Sequence, residues 1–292
     1  MSLGIAIKGP EGIVLAADSR VTLFNQVQPP PPAQLMLVPA SFDNATKLLS
    51  FGGGSEKASY VAAVTYGAGA IGQQQPRTAH SFLPELENEL AEELAKKDGQ
   101  DRLSVRDFAT GLSNFFMRQW RSANMPIPAP PGGDMVFLVA GYDKDEQGKD
   151  EPYGKVFEIV VPTKPTPVEK IPMSEFGIVW GGQRNIADRI FQGFDSAALG
   201  FIFDFFKVAP HQRTPDLENY MKPRLTLKIP VAFLPLQDCV DLATFMIRAT
   251  ALLQDWTVDL RGVGGAVDVA TITRTQGFKA VQLKKISGER FI

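Results

Sequence analysis

Cysteine occurs once in the chain, at Cys239, and histidine twice, at His80 and His211. A single thiol excludes an internal disulfide framework and a thiolate metal cluster. Neither imidazole has the company that a zinc site or a Ser-His-Asp relay requires: His80 stands among polar residues ahead of a helical pattern, and His211 lies in "VAPHQRTPD". Both read as surface or loop residues, and no metal is expected. Long apolar runs are missing as well. Nothing approaches the ~20 residues needed to cross a bilayer, and no charged leader with an apolar core and cleavage site precedes the first strand; the expectation is a cytoplasmic protein without a membrane partner. A large excess of either charge is absent too. Thirty Lys and Arg stand against 32 Asp and Glu, a net charge of -2, with no basic block to line a nucleic-acid groove. Nucleic acid is not the expected partner.

Apolar residues, by contrast, make up 44% of the 292 positions, enough to bury a full core. Leu3, Ile5 and Ile7 alternate with Gly4, Ala6 and Lys8, and "GPEG" at 9–12 turns the chain into "IVLAADSR", so the sequence opens on a hairpin. The proline run in "QVQPPPPAQ" cannot donate to a sheet; residues 21–46 read as an extended, exposed loop with a Pro-rich insertion at about 26–42. Strands are expected at 47–51 and 60–66. Two helices follow, one with Leu83, Leu86, Leu90 and Leu94 at helical spacing, the other capped by Ser104 ahead of Phe108, Leu112, Phe115 and Phe116. Further strands are expected at 135–143, 155–161 and 176–182, then helical "RNIADRIFQGF" and "AALGFIFDFF", a long helix over 236–256, and a last hairpin from "AVDVATITR" and "AVQLKK". Hairpins and helix pairs segregated in this way point to antiparallel sheet covered by helices, an α+β fold in one domain over 1–292. Phe201, Phe203, Phe205 and Phe206 are too many for one helical stripe. They either fill the core or form a partner surface, and the sequence leaves both open.

Two motifs bear on chemistry. "GAGAIG" at Gly67–Gly72 follows an apolar strand and has the glycine spacing of a dinucleotide-binding turn, in which a helix N-terminus meets the pyrophosphate. Pro76 stands where that helix should already be running, and no second strand ends in an acidic residue at the required distance. Cofactor binding is therefore the remote alternative, and no cofactor is expected. Close backbone approach where a strand leaves the sheet explains the glycines more simply. The second motif is the beginning itself. Ser2 is small enough to permit removal of Met1, after which one residue carries both a hydroxyl and a free α-amine. An α-amine of pKa ~7.7–8.0 becomes a base at neutral pH when a cation lies nearby, and the hydroxyl becomes the nucleophile. Such a site needs a cation and an anion to hold it. Asp18, at the end of the strand that pairs with the first, Arg20, and Lys47, at the start of the next strand, are the candidates.

"GIAIKGPEGIVLAADSR" resembles the opening of proteasome β subunits, where a catalytic threonine begins a strand-turn-strand that ends in an Ala-Ala-Asp-Ser-Arg-like segment. Aligned without gaps, the resemblance places the nucleophile on Ser2, the catalytic aspartate on Asp18 and the following arginine, a structural support, on Arg20. "NATKLLSF" is similar to the segment that supplies the catalytic lysine, which falls on Lys47. "VTYGAGAIG" is similar to the strand end whose glycine N–H forms the oxyanion hole, which falls on Gly67. "VDLATFMIRATALLQD" and "VGGAVDVATITRTQGF" are similar to the family's last helix and hairpin; the aspartate that supports the terminal amine falls on Asp255 or, with a shorter insertion, on Asp259. The resemblance implies a four-layer αββα sandwich of two antiparallel sheets between helix layers. It also implies hydrolysis of a peptide or amide bond through an ester on Ser2, without metal or cofactor, and self-assembly into a homo-oligomeric ring or an open helical variant. The chain departs from the family at Val263, which replaces a serine before Gly264-Gly265, and near Gly182 or Gln183, where a second supporting serine is missing. A catalytically silent structural or regulatory subunit of the same fold is the alternative.

Overall fold

A computed structural model describes residues 2–27, 36–51, 60–72, 75–97, 100–258 and 261–285. The first sheet grows outward from the opening hairpin. Strands β1 (Leu3–Lys8) and β2 (Ile13–Ala17) pair antiparallel through the 9–12 turn, with Gly9 N–H donating to Gly12 O at 2.9 Å. On the other side of β1 runs β10 (Gly177–Gly182), and beyond β2 lie β11 (Asp268–Thr273) and β12 (Gly277–Gln282), giving the order β10-β1-β2-β11-β12. The beginning of the chain is thus a central strand. The second sheet, also antiparallel, has the order β5-β6-β7-β8-β9, from β5 (Leu48–Ser50), β6 (Val61–Gly67), β7 (Met135–Gly141), β8 (Lys155–Val161) and β9 (Lys164–Glu169).

Strand alternation sorts the side chains into three apolar clusters. Ala6, Leu15 and Ala17 of the first sheet share one with Ala62, Val64 and Leu138 of the second. Leu3, Ile5 and Ile7 point to the opposite side of β1 and share another with α3 (Asn185–Phe191) and α6 (Leu236–Asp255). Ala63, Phe137 and Phe157 of the second sheet pack with α1 (Leu83–Ala95) and α2 (Val105–Ser122). Every residue of β1 is buried, and each of Leu3, Ile5 and Ile7 contributes about 2 kcal/mol by leaving water. Such a strand cannot fray without opening the core. The α2 helix starts where its cap expects it, with Asp107 N–H donating to Ser104 Oγ at 3.0 Å.

Three segments differ from the sequence reading. Residues expected as loop form a separate ribbon, β3 (Val21–Val27) paired with β4 (Met36–Phe42), so the Pro-rich insertion begins and ends in strands; the proline run itself lies outside the described residues. β9 carries Pro165 and Pro167, which hid it as a strand; it lies at a sheet edge, where a missing N–H is tolerated. α5 (Asp216–Leu225) holds Pro223 in its last turn and lacks an apolar stripe. The remaining helix, α4 (Ser196–Phe205), buries none of its side chains. Among the described residues, no helix is long and apolar enough to cross a membrane, and no group of three or more His, Cys, Asp or Glu is placed to hold a metal ion.

Candidate active site

The end of β2 and the start of β5 bring charge to the start of β1. Asp18 is fully buried, and both of its oxygens are occupied. Oδ1 accepts from Leu3 N–H at 3.0 Å and from Lys47 Nζ at 2.8 Å; Oδ2 accepts from Arg20 N–H at 3.0 Å and from Gly264 N–H at 3.1 Å. Four donors around one carboxylate satisfy a charge that would otherwise be costly to bury. Lys47 is buried as well and donates a second time to the Arg20 carbonyl oxygen. Burial pulls its pKa below the usual lysine range. Asp18 opposes that shift, while the positive charges of Lys284 and Arg20 add to it.

Ser2 is buried at the head of β1, and its carbonyl oxygen accepts from Gln183 N–H at 2.7 Å. This contact depends on Gly182, which has φ of +102°. A Cβ there would stand 2.0 Å from Ser2 O, so no other residue fits without moving the chain's beginning. Ser2 and Lys47 line one narrow cavity of about 10 Å³ together with Thr46, Thr65, Tyr66 and Ala79, room for about one water. Thr65 Oγ1 is buried there without a hydrogen-bond partner among the described residues. Tyr66 closes the floor, with its ring against Gly4 and Gly181 and its hydroxyl donating to Glu158 Oε2 at 3.2 Å. Larger cavities of about 500 and 590 Å³ lie along α3 and β10.

Of the residues chosen from the sequence, Ser2, Asp18 and Lys47 come together. Gly67 ends β6 with φ of +87°, and its neighbours Tyr66 and Ala68 line the same cavity. Arg20 serves the site through its backbone. Its guanidinium reaches away, forking onto Asp43 at 2.6 and 2.8 Å, and packs against Gly264, which holds the 264–266 turn against β2. Asp255 ends α6 half-exposed, 3.6 Å from Arg261 Nη1 and near enough to the Arg20 guanidinium to add to the rise in its pKa that the Asp43 hydrogen bonds cause; no hydrogen bond or ion pair joins it to Ser2, Asp18 or Lys47 among the described residues. Asp259 and Met1 lie outside the described residues. The glycine run does not open a helix. Gly67–Gly72 leads into a bridge between Ile71 and Arg77, and the first helical turn begins at Ala79, so the phosphate-binding geometry is not formed.

Sequence reasoning missed the Gly264 N–H and a second buried charge pair. Asp268 stands opposite Ala17 in the β2–β11 register, one residue from Asp18, and accepts from both Lys284 N–H, at 2.7 Å, and Lys284 Nζ. It also missed Gln254, whose Oε1 accepts from Val263 N–H at 3.0 Å while its buried Nε2 lacks a partner among the described residues. The Gly264-Gly265 doublet and the polar Gln254 late in an apolar helix were the available signals; neither says what it approaches.

No protein-family model matches the chain, and no curated protein matches it. Among solved structures it is similar to the Gly-1 mutant of Anbu from Hyphomicrobium sp. strain MC1, at 14% sequence identity over 99% of this chain and 88% of that one, with a TM-score of 0.48. A likeness at this level assigns neither a reaction nor a site residue to the chain.

Proposed function

We propose that the chain is an N-terminal nucleophile hydrolase of the proteasome β-subunit type, one domain folded as a four-layer αββα sandwich, which cleaves peptide or amide bonds once loss of Met1 frees the amine of Ser2. The observation that carries this reading is the buried Lys47–Asp18 pair, 2.8 Å apart, on the wall of the cavity that Ser2 shares. A buried ion pair is a poor source of stability compared with well-packed apolar residues. This one draws its members from two different sheets, and a cation held beside the chain's beginning accounts for it better.

In the proposed reaction, Ser2 Oγ attacks the carbonyl carbon and gives its proton to its own α-amine. The tetrahedral adduct collapses as the C–N bond breaks and the ammonium returns that proton to the leaving nitrogen, which leaves an ester on Ser2. Water then attacks the ester, loses a proton to the amine, and the acid departs as Oγ is reprotonated. The positive charge of Lys47 favours the neutral amine, and Asp18 fixes Lys47 in place. Gly67 N–H takes the oxyanion by resemblance, a role whose loss costs ~10²–10³ in turnover.

The silent-subunit reading draws on other observations: Asp255 turns to Arg261, and Val263 offers only its backbone N–H, already held by Gln254. Comparing the mature protein with Ser2→Ala on fluorogenic peptides and simple amides separates the two. Hydrolysis that disappears in the variant supports the hydrolase. Equal rates in both, or none in either, supports the silent subunit.

A further inference from the structure

One hydroxyl beside the Ser2 site is stranded. β6 reads "VAAVTYG", and apart from Tyr66 its Thr65 is the one polar side chain among aliphatic and glycine positions. Thr65 is only 6% exposed, and its Oγ1 has no hydrogen-bond partner among the described residues. Burying a hydroxyl without a partner is costly, whereas valine has nearly the same shape and strands nothing. A threonine here calls for a partner. Backbone pairing fixes where that partner must lie. Thr65 N–H donates to Lys47 O at 2.9 Å, which continues the β5–β6 register and sets Thr65 across from Lys47. Side chains so placed share one face of a sheet, and both line the Ser2 cavity.

That cavity, about 10 Å³, has the size of one water, and a buried water takes about two to four polar partners. The groups left for it can be counted. The Lys47 ammonium has three N–H donors, and among the described residues two oxygens take them up, Asp18 Oδ1 and the Arg20 carbonyl. The third is left for the cavity. Tyr66 is already engaged with Glu158, and Thr46 and Thr78, the other threonines on the wall, are only half-buried. Ser2 lines the same space, yet no hydrogen bond joins it to Lys47 among the described residues. An ammonium and a serine thus share a one-water cavity without a bond between them, and a partnerless hydroxyl stands across from the ammonium. Together they supply the full set of partners for a single water.

We propose that Thr65 is a positioning residue: with Lys47 Nζ it holds one water against Ser2, and this water carries the influence of the ammonium to Ser2 Oγ. The water oxygen accepts from Nζ. One of its hydrogens goes to Thr65 Oγ1 and the other to Ser2 Oγ, where it favours the negative charge that develops as the serine gives up its proton. Without the Thr65 hydroxyl the water keeps two partners and is free to turn its hydrogens away from Ser2. The inference rests on the N-terminal nucleophile reading and adds to it the means by which Lys47 reaches Oγ.

The test compares the mature wild type with Thr65→Val, which removes the hydroxyl and keeps the shape, and Thr65→Ser, which keeps the hydroxyl. Crystal structures of the three show whether the water is there. Acylation of Ser2 by an activated peptide ester, followed by intact mass after acid quench, gives the rate at saturation and the half-saturating concentration. Expected is one ordered water within hydrogen-bond distance of Thr65 Oγ1 and Lys47 Nζ in the wild type, lost in Thr65→Val and kept in Thr65→Ser. Thr65→Val should acylate at least about tenfold more slowly at saturation with an unchanged half-saturating concentration, because the contact to Oγ matters only as charge develops. Thr65→Ser should recover to within about threefold of the wild type. A wild-type cavity that holds no water overturns the inference, and so does a Thr65→Val protein that acylates as fast as the wild type. If the wild type acylates in either case, the hydrolase reading survives. A wild type that never acylates removes the hydrolase reading, and the role of Thr65 falls with it. Should a thermal melt show that Thr65→Val fails to fold, the wild-type water and the acylation rate of Thr65→Ala decide.

Discussion

Lys47 Nζ lies 2.8 Å from Asp18 Oδ1, and both side chains are buried. The pair joins β5 of one sheet to the end of β2 in the other, and Asp18 also receives the N–H groups of Leu3 and Gly264. One carboxylate therefore ties together the chain's beginning, the start of β5 and the turn before its last hairpin.

Removing one partner should cost more than removing both. Lys47→Met leaves the Asp18 charge buried without its counter-ion, an expected loss of about 3–5 kcal/mol. Lys47→Met combined with Asp18→Asn leaves no stranded charge, and its destabilisation should fall clearly below the sum of the two single variants. Urea denaturation of the four proteins measures this; additive losses would mean that the two groups do not interact.

The pKa of Lys47 sets the sign of a pH effect. Because burial holds it below the usual value of 10.5, the unfolded chain binds this proton more tightly than the folded one. The cost is present in full below the folded pKa and is relieved as pH rises toward the unfolded value. The stability of wild type minus that of Lys47→Met should therefore increase as pH rises through the alkaline range toward the ordinary lysine value. Denaturation at several pH values checks it, and a flat or falling difference contradicts it.

Gly182 and Gly148 make a controlled comparison. Both have positive φ, +102° and +76°, but a Cβ at Gly182 meets Ser2 O at 2.0 Å whereas at Gly148 it meets nothing within 4 Å. Alanine at 148 should cost about 1 kcal/mol from backbone conformation alone. At 182 the loss should be larger by at least ~1 kcal/mol, because β10 and the Ser2 end of β1 must separate. Thermal melts of the two variants distinguish them; equal losses would show that Ser2 is not held by this contact.

The opening of the chain was legible because its chemistry is local: alternation fixes β1, the 9–12 turn fixes β2, and their pairing carries Asp18 back toward the first residues. Lys47 stood out only through the resemblance of "NATKLLSF"; by itself it reads as an ordinary exposed strand-end lysine. What the sequence could not reveal is the convergence of distant backbone groups. Gly264 N–H reaches Asp18 across 246 positions, and nothing about a glycine doublet announces a donor. Asp255 was chosen by helix register, but at the exposed end of α6 the nearby Arg261 takes its carboxylate. β3, β4 and β9 were hidden by prolines, which argue against a central strand but permit a ribbon or an edge. For α4, apolar composition alone cannot distinguish a buried helix from an exposed one, and in the structure none of its residues is buried.

The central claim is that Ser2 begins the active protein and carries the acyl group. Intact mass spectrometry of the protein from its native host, before and after brief acid quench with an excess of an activated peptide ester, addresses both halves. The account predicts a mass lower than the full sequence by one methionine residue, and after the quench a single acyl adduct that peptide mapping places on Ser2 and that Ser2→Ala lacks. A protein that retains Met1, or an adduct on any other residue, would contradict it.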